Sequence, residues 1–254
     1  TEAWIDRSSL EYHFPAILRN WTKNDFIQDW VRGRAALNVK KSTDKLQRHP
    51  YEPCYLYESG ILPLQQFPIK GIIWYQGESN ISNYQFYAPM MTAMVQLWRN
   101  VWEAPDMPFY YVQIAPYKYE NSSNTGAALL REAQMEALKT IPNSGMVPTT
   151  DIGDEFCIHP PQKDVVGLRL ATLALTKTYG IRRLPSNGPT MTKVDYADKK
   201  AIVTFDNAPA GLSPTFSELE GFEIAGADKK FYPAKAKIVG RTNTVEVWSE
   251  EVAQ

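Results

Sequence analysis

Cysteine and histidine are the scarce residues of this sequence, numbering two and three in 254. The two cysteines, Cys54 and Cys157, make no disulfide framework, and one bridge or two free thiols fit equally well, which leaves the redox compartment open. An excess of one charge is also missing. Lys and Arg number 27 against 28 Asp and Glu, a net charge of -1 that argues against nucleic acid or an anionic membrane surface as the main partner. No apolar run is long enough to span a bilayer, and there is no internal repeat. The chain opens on Thr1 without a leader pattern, so it is expected to be a processed or partial piece of a longer protein.

What is present is an ordinary globular composition. A hydrophobic share of 44% against 22% charged leaves no sign of disorder and provides for one large domain, or a medium one with a small companion. Aromatics make up 12%, a supply that suits stacking on sugars but is explained first by a core rich in large rings.

Phe26, Ile27, Trp30 and Val31 have helical spacing, and the polar, Lys-rich stretch from Leu37 to His49 is expected to be a solvated surface. Gly71-Ile72-Ile73-Trp74-Tyr75 predicts a buried strand, Pro108 to Ile114 a second, and Gly145 to Pro148 a third. Between them, Phe86, Met90, Met94, Leu97 and Val101 mark one helix. Leu129, Leu130, Ala133, Ala137 and Leu138 mark another, closing at Pro142. Pro160-Pro161 is expected to open a helix ending at Tyr179-Gly180, proline first and glycine last.

This alternation predicts a parallel sheet covered by helices on both faces. Leu184 to Pro189 has linker composition, after which Ala201–Phe205, Gly221–Ile224, Ala236–Val239 and Thr244–Trp248 form a turn-rich set of short strands. The expected organisation is an α/β domain over residues 1–185 and a small antiparallel β module over 189–254.

Two stretches fall where strands end and ligands bind in such sheets. The first is Gln76-Gly77-Glu78-Ser79-Asn80. Its side-chain amides are candidates for binding a developing oxyanion, Gly77 for close substrate approach, and Glu78 for an ion pair with an arginine such as Arg131. A polar turn capped by Ser79 or Asn80 accounts for the same residues. Gly77-Glu78-Ser79-Asn80-Ile81 resembles a nucleophile elbow only in part, because Ile81 stands where the second glycine belongs.

The second stretch is Asp151 to Pro161, in which three carboxylates precede His159 and two prolines follow it. His159 is the candidate general base. Asp154, Asp151 or Glu155 would accept its other ring proton; a loop whose acids favour the helix dipole is the competing explanation. His13 and His49 have no such neighbours. With no two-histidine spacing, neither a metal nor any other cofactor is expected.

Lys70-Gly71-Ile72-Ile73-Trp74-Tyr75-Gln76-Gly77-Glu78-Ser79-Asn80 resembles the signature of the sialate O-acetylesterase family within the SGNH hydrolases. Asp151-Ile152-Gly153-Asp154, Ile158-His159-Pro160-Pro161, Lys163 to Ala171 and Leu129 to Gln134 resemble its histidine block, the helix behind it and a further segment. Thr1-Glu2-Ala3-Trp4-Ile5 resembles the tail of a glycine-rich block, and the likeness continues loosely at Glu220 to Gly226.

The resemblance implies a three-layer αβα hydrolase, here partial, followed by the β module. It implies serine acyl transfer on O-acetyl esters of sugars, of the 9-O-acetyl sialate type, in a periplasmic or extracellular protein. It makes His159 the base and places Gln76, Gly77, Glu78, Asn80 and Arg131 on the oxyanion and substrate side. The family's Gly-Gln-Ser-Asn-Met block does not occur in the chain, so a preceding segment of the same protein is the expected partner. Cys157 and Phe156 occupy the positions where relatives carry the acid, and Asp154 is preferred over Asp151 for that role. Deacetylation of xylan and non-catalytic carbohydrate binding are the rival expectations.

Overall fold

The computed structural model describes residues 1–44, 46–119, 125–213, 219–240 and 242–252. They divide into two compact units, Thr1–Leu184 and Pro185–Gln254.

In the first unit, β1 (Ile72–Trp74), β2 (Phe109–Val112) and β3 (Ser144–Val147) form a parallel sheet in that order. The register pairs Ile72 with Phe109 and Phe109 in turn with Ser144. Every residue of β2 is buried, as a central strand covered on both faces must be. Side-chain alternation divides its four residues between two cores. Phe109 and Tyr111 join Trp74 and the helices α4 (Tyr87–Val101) and α5 (Gly126–Thr140), whereas Tyr110 and Val112 pack with α6 (Lys163–Lys177). The expected α/β sandwich is the observed one. Each fully buried large side chain in it contributes about 1.5–3 kcal/mol by leaving water.

Helix α4 buries Tyr87, Met90, Met91, Met94, Val95 and Trp98, the stripe that three- and four-residue spacing dictates. Near its end Arg99 donates to the carbonyls of Met107 (3.0 and 2.8 Å) and Pro142 (2.6 Å), joining the loops at the end of the sheet remote from the site. Helix α6 lays Val166, Leu170 and Leu173 on the sheet. Gly145 makes room for it, because a Cβ there would stand 2.8 Å from Leu173 Cδ2. Gly180, at φ +68°, ends the helix as expected, with the Ile181 N–H reaching back to the Leu175 carbonyl (2.9 Å). The start differs: α6 begins at Lys163, two residues beyond Pro161, with Gln162 as its cap. Strand β1 pairs with β2 alone among the described residues, and its Ile73 is 68% exposed because α6 covers only β2 and β3.

Ahead of the sheet run α1 (Arg7–His13), α2 (Pro15–Leu18) and α3 (Asp29–Lys40). Helix α3 starts later than the apolar spacing suggests and takes in Leu37 to Lys40, expected as loop or surface. Asn24 diverts the approach by accepting the Phe26 N–H on its side chain (2.9 Å) and the Ile27 N–H on its carbonyl (3.2 Å). Cys54 is buried and Cys157 exposed, both as free thiols. Burial pushes the Cys54 thiol up to about 11.

The second unit contains the antiparallel sheet β4 (Thr190–Ala197), β5 (Lys200–Asp206), β9 (Thr244–Trp248) and β8 (Lys235–Ile238), in that spatial order. The hairpin of β6 (Glu223–Ala225) and β7 (Phe231–Pro233) lies beside it in sequence. Its core is small, built on Ala201, Ala236, Val245 and Val247. Strands β4 and β7 have no buried residues and therefore no clear alternation for a sequence-based expectation to find.

Candidate active site

The carboxyl ends of β1, β2 and β3 carry the loops Tyr75–Asn80, Gln113–Tyr119 and Pro148–His159. The first is a closed polar network. Asn80, fully buried, accepts from Gln76 Nε2 (2.8 Å) and donates through Nδ2 to Glu2 Oε2 and Asn83 Oδ1 (both 3.2 Å). Asn83 donates onward to the Phe26 carbonyl (2.7 Å), and Thr1 Oγ1 donates to Gln76 Oε1 (3.1 Å). The Tyr87 hydroxyl donates to the Gln76 carbonyl (2.7 Å), and burial pushes that phenol up to about 12. Each of these groups would cost about 1–3 kcal/mol if left buried and unpaired. The loop is therefore held in one conformation.

Packing by itself requires the glycine at position 77. A Cβ there would lie 2.7 Å from Ile114 Cγ2 and 3.1 Å from Gln134 Nε2. Gln134, fully buried on α5, accepts the Ile114 N–H (2.9 Å) and directs Nε2 to the carbonyls of Val112 (3.3 Å) and Gln76 (3.4 Å). It sews the ends of β1 and β2 together. Gln113 donates to the Arg131 carbonyl (3.0 Å) and its own carbonyl accepts from Thr149 Oγ1 (2.7 Å), extending the seam to the third loop. Gln113, Gln134 and Thr149 escaped the sequence reading as site residues. The available signal was a glutamine at a buried spacing on α5, four residues after Leu130 and three before Ala137.

Glu78 is half-buried and forms no ion pair with Arg131 among the described residues, contrary to the pairing expected. Its charge acts on phenols instead. The Tyr119 phenol is pushed up to about 12, first by burial and then by Glu78, and its hydroxyl is buried without a hydrogen-bond partner among the described residues. Tyr75 is raised for the same two reasons. Arg131 is half-buried beside Tyr119, and desolvation lowers its pKa.

The loop bearing His159 is built differently. The imidazole is exposed, and no hydrogen bond or ring contact holds it among the described residues. Asp151 grips Arg169 with two hydrogen bonds (2.8 and 2.5 Å), which hold its carboxyl below the usual range. Glu155 pairs with Lys118 (2.7 Å). Asp154 Oδ1 accepts the N–H groups of Phe156 and Cys157 (both 2.8 Å), and Cys157 Sγ lies 3.2 Å from the His159 carbonyl. Gly153 presses on Pro116, where a Cβ would come within 2.6 Å of the ring and the carbonyl. All three carboxylates expected near the histidine thus have other tasks in the loop, and only Asp154 among them is free of an ion pair. No group of three or more His, Cys, Asp or Glu side chains gathers as metal ligands among the described residues.

The structure therefore brings Gln76, Gly77 and Asn80 together, with Glu78 and Arg131 each beside Tyr119. His159 and Asp154 lie on the same loop after β3, with no hydrogen bond between them among the described residues.

Comparison with known proteins adds context. A family described as carbohydrate esterase, sialic acid-specific acetylesterase, matches residues 27–176. The sialate O-acetylesterase of Rattus norvegicus is 31% identical over 170 residues, 59% of this chain and 31% of that protein. That of Homo sapiens is 28% identical over 217 residues, 77% of this chain and 41% of that one. The crystal structure of a carbohydrate acetylesterase from Xanthomonas citri superposes with a TM-score of 0.76 at 33% identity, covering 99% of this chain and 51% of the other. The chain thus spans less than half the length of these curated relatives and about half of the solved structure.

Proposed function

The chain belongs to the sialic acid-specific acetylesterase family of carbohydrate esterases, and from that premise we propose that it carries the base-bearing part of a serine esterase that removes O-acetyl groups from sugars. The observation that carries the reading is the placement of the Gln76 loop and the His159 loop at the same, carboxyl edge of one parallel sheet, after β1 and β3 on either side of β2, where such folds bind ligands.

In this mechanism a serine from the family block that residues 1–254 do not contain gives its proton to His159. Its oxygen bonds to the acetyl carbon, and the carbonyl π electrons move to the oxygen. Stabilising that oxyanion is assigned to the Gln76 loop, where the second N–H of the Gln76 amide is the donor not used in binding Asn80; the rigidity of the loop is the property that preorganised stabilisation requires. The tetrahedral centre collapses, the sugar oxygen leaves with the proton of the imidazolium, and water repeats the sequence on the acyl-enzyme to release acetate.

Asp154 is assigned the orienting role, because Asp151 and Glu155 are committed to Arg169 and Lys118. Arg131 and Glu78 are assigned to the substrate side. The substrate proposed is a 9-O-acetyl sialate, on the strength of the mammalian relatives' names. The Xanthomonas citri neighbour is described only as a carbohydrate acetylesterase, a breadth that admits a second reading, acetylated polysaccharide such as xylan. Both place the protein in a secreted setting.

The test is His159→Ala in the complete esterase. Acetate release should fall by at least about a hundredfold, the scale of a lost general base, with an unchanged circular-dichroism spectrum. Turnover within a few-fold of the parent overturns the assignment. Relative rates on 9-O-acetyl sialate and on acetylated xylan decide the substrate.

A further inference from the structure

Among the described residues no hydrogen bond fixes the imidazole of His159, so its place at the sheet edge is set by the backbone that bears it. That backbone is anchored on one side by the loop after β2, through Gly153 on Pro116 and the Lys118 N–H on the Glu155 carbonyl (3.1 Å). On the other side it runs through Pro160, Pro161 and Gln162 into Lys163, the first residue of α6. Two prolines stiffen this connection, and the Lys163 N–H closes on the Pro161 carbonyl at 2.7 Å. A displacement of Lys163 is therefore passed on to His159.

The Lys163 ammonium lies 4.6 Å from the ring centroid of Tyr75, within cation–π range. It makes no salt bridge among the described residues. Tyr75 is the residue directly before Gln76. The Gln76 carbonyl that follows it accepts from the Tyr87 hydroxyl (2.7 Å). The ring is thus tied to the Gln76 wall through the chain itself. The cation resting on it belongs to the wall that carries the base.

We propose that Lys163 and Tyr75 form a brace that sets the separation between the His159 loop and the Gln76 loop, which makes both of them positioning residues for the acyl-transfer reaction; the inference rests on the esterase reading above. A free anion-binding role for Lys163 would show in substrate affinity. A brace shows in turnover, because a general base moved by a fraction of an ångström still leaves the sugar bound.

The experiment compares Lys163→Met, Lys163→Arg, Tyr75→Leu and the Lys163→Met/Tyr75→Leu double variant in the complete esterase. Lys163→Met and Tyr75→Leu should each lower kcat about tenfold with KM changed less than about twofold. Lys163→Arg, which keeps a cation on the ring, should recover most of kcat. The double variant should be no worse than either single change, as expected of two halves of one contact. Parent-like kcat in Lys163→Met, failure of the Arg variant to recover, or losses that multiply in the double variant would each overturn the brace. If Tyr75→Leu does not fold, the Met and Arg variants of Lys163 decide alone. In the 254-residue chain itself, the imidazole proton resonances of His159 should broaden or shift in Lys163→Met and return in Lys163→Arg. This readout needs no turnover, so a shift seen alongside an active His159→Ala enzyme would sink the esterase reading and spare the brace, whereas unmoved resonances would sink the brace.

Discussion

The two candidate walls of the site, both at the carboxyl edge of the sheet, are held there by opposite means. The Gln76 wall is buried and satisfied from within: side-chain amides bond to one another, to backbone carbonyls and to residues at the start of the chain. The His159 wall is exposed and is held from outside by ion pairs with Arg169 and Lys118 and by an Asp154 turn. A buried network of neutral amides resists movement because every displacement leaves a donor or acceptor without water or partner. A loop pinned by solvent-exposed ion pairs resists far less. Under the proposed mechanism, the wall assigned to charge stabilisation is the stiff one, and the wall assigned to proton transfer faces water.

Substitution should separate the two. Asn80→Ala strikes the centre of the stiff wall and strands Gln76, Glu2 and Asn83. It should cost about 3 kcal/mol, the sum of more than one stranded partner, read as a lower denaturant midpoint with unchanged m-value. A loss under about 1 kcal/mol would remove the contrast. Gly77→Ala drives a methyl into Ile114 and should cost about 1–3 kcal/mol as overpacking, again seen in denaturant melts.

The smallest effect belongs to the exposed wall. Asp151→Asn should change stability by no more than about 0.5 kcal/mol at neutral pH. The sign with pH follows from the depressed carboxyl. The pair's contribution is complete above the ordinary aspartate value near about 4 and disappears as pH falls through the lower folded value. The parent and Asp151→Asn curves should therefore converge in acid. Divergence toward low pH would contradict the pairing.

The same contrast explains what could be foreseen from the residues. Strand β2 announces itself because Phe109-Tyr110-Tyr111-Val112 is apolar on both faces and buried on both. Edge strand β4 does not, because nothing in it is buried. Both walls of the site were legible as motifs, since their polar residues follow strands directly. The tasks of those residues were not legible. Arg169 lies 18 positions from Asp151, Lys118 lies 37 from Glu155, and Gln134 reaches Gln76 across 58. Such pairings exist only once the sheet has brought three loops together. The glycine in Gln76-Gly77 is the sharpest example, because its neighbour in space, Ile114, is one strand further along the chain.

Strand β1 has a consequence of another kind. It offers its backbone to β2 on one side only, among the described residues, and Ile73 stands in solvent beside that open edge. Unpaired peptide groups next to a bare isoleucine form a template on which a further strand can add, from the same polypeptide or from a neighbour. Three residues at about 3.3 Å each give a template of roughly 10 Å, short enough that such association is weak and rises with concentration. Colloidal behaviour is thereby tied to the strand that carries the stiff wall. A lysine at position 73 would guard it without entering either core.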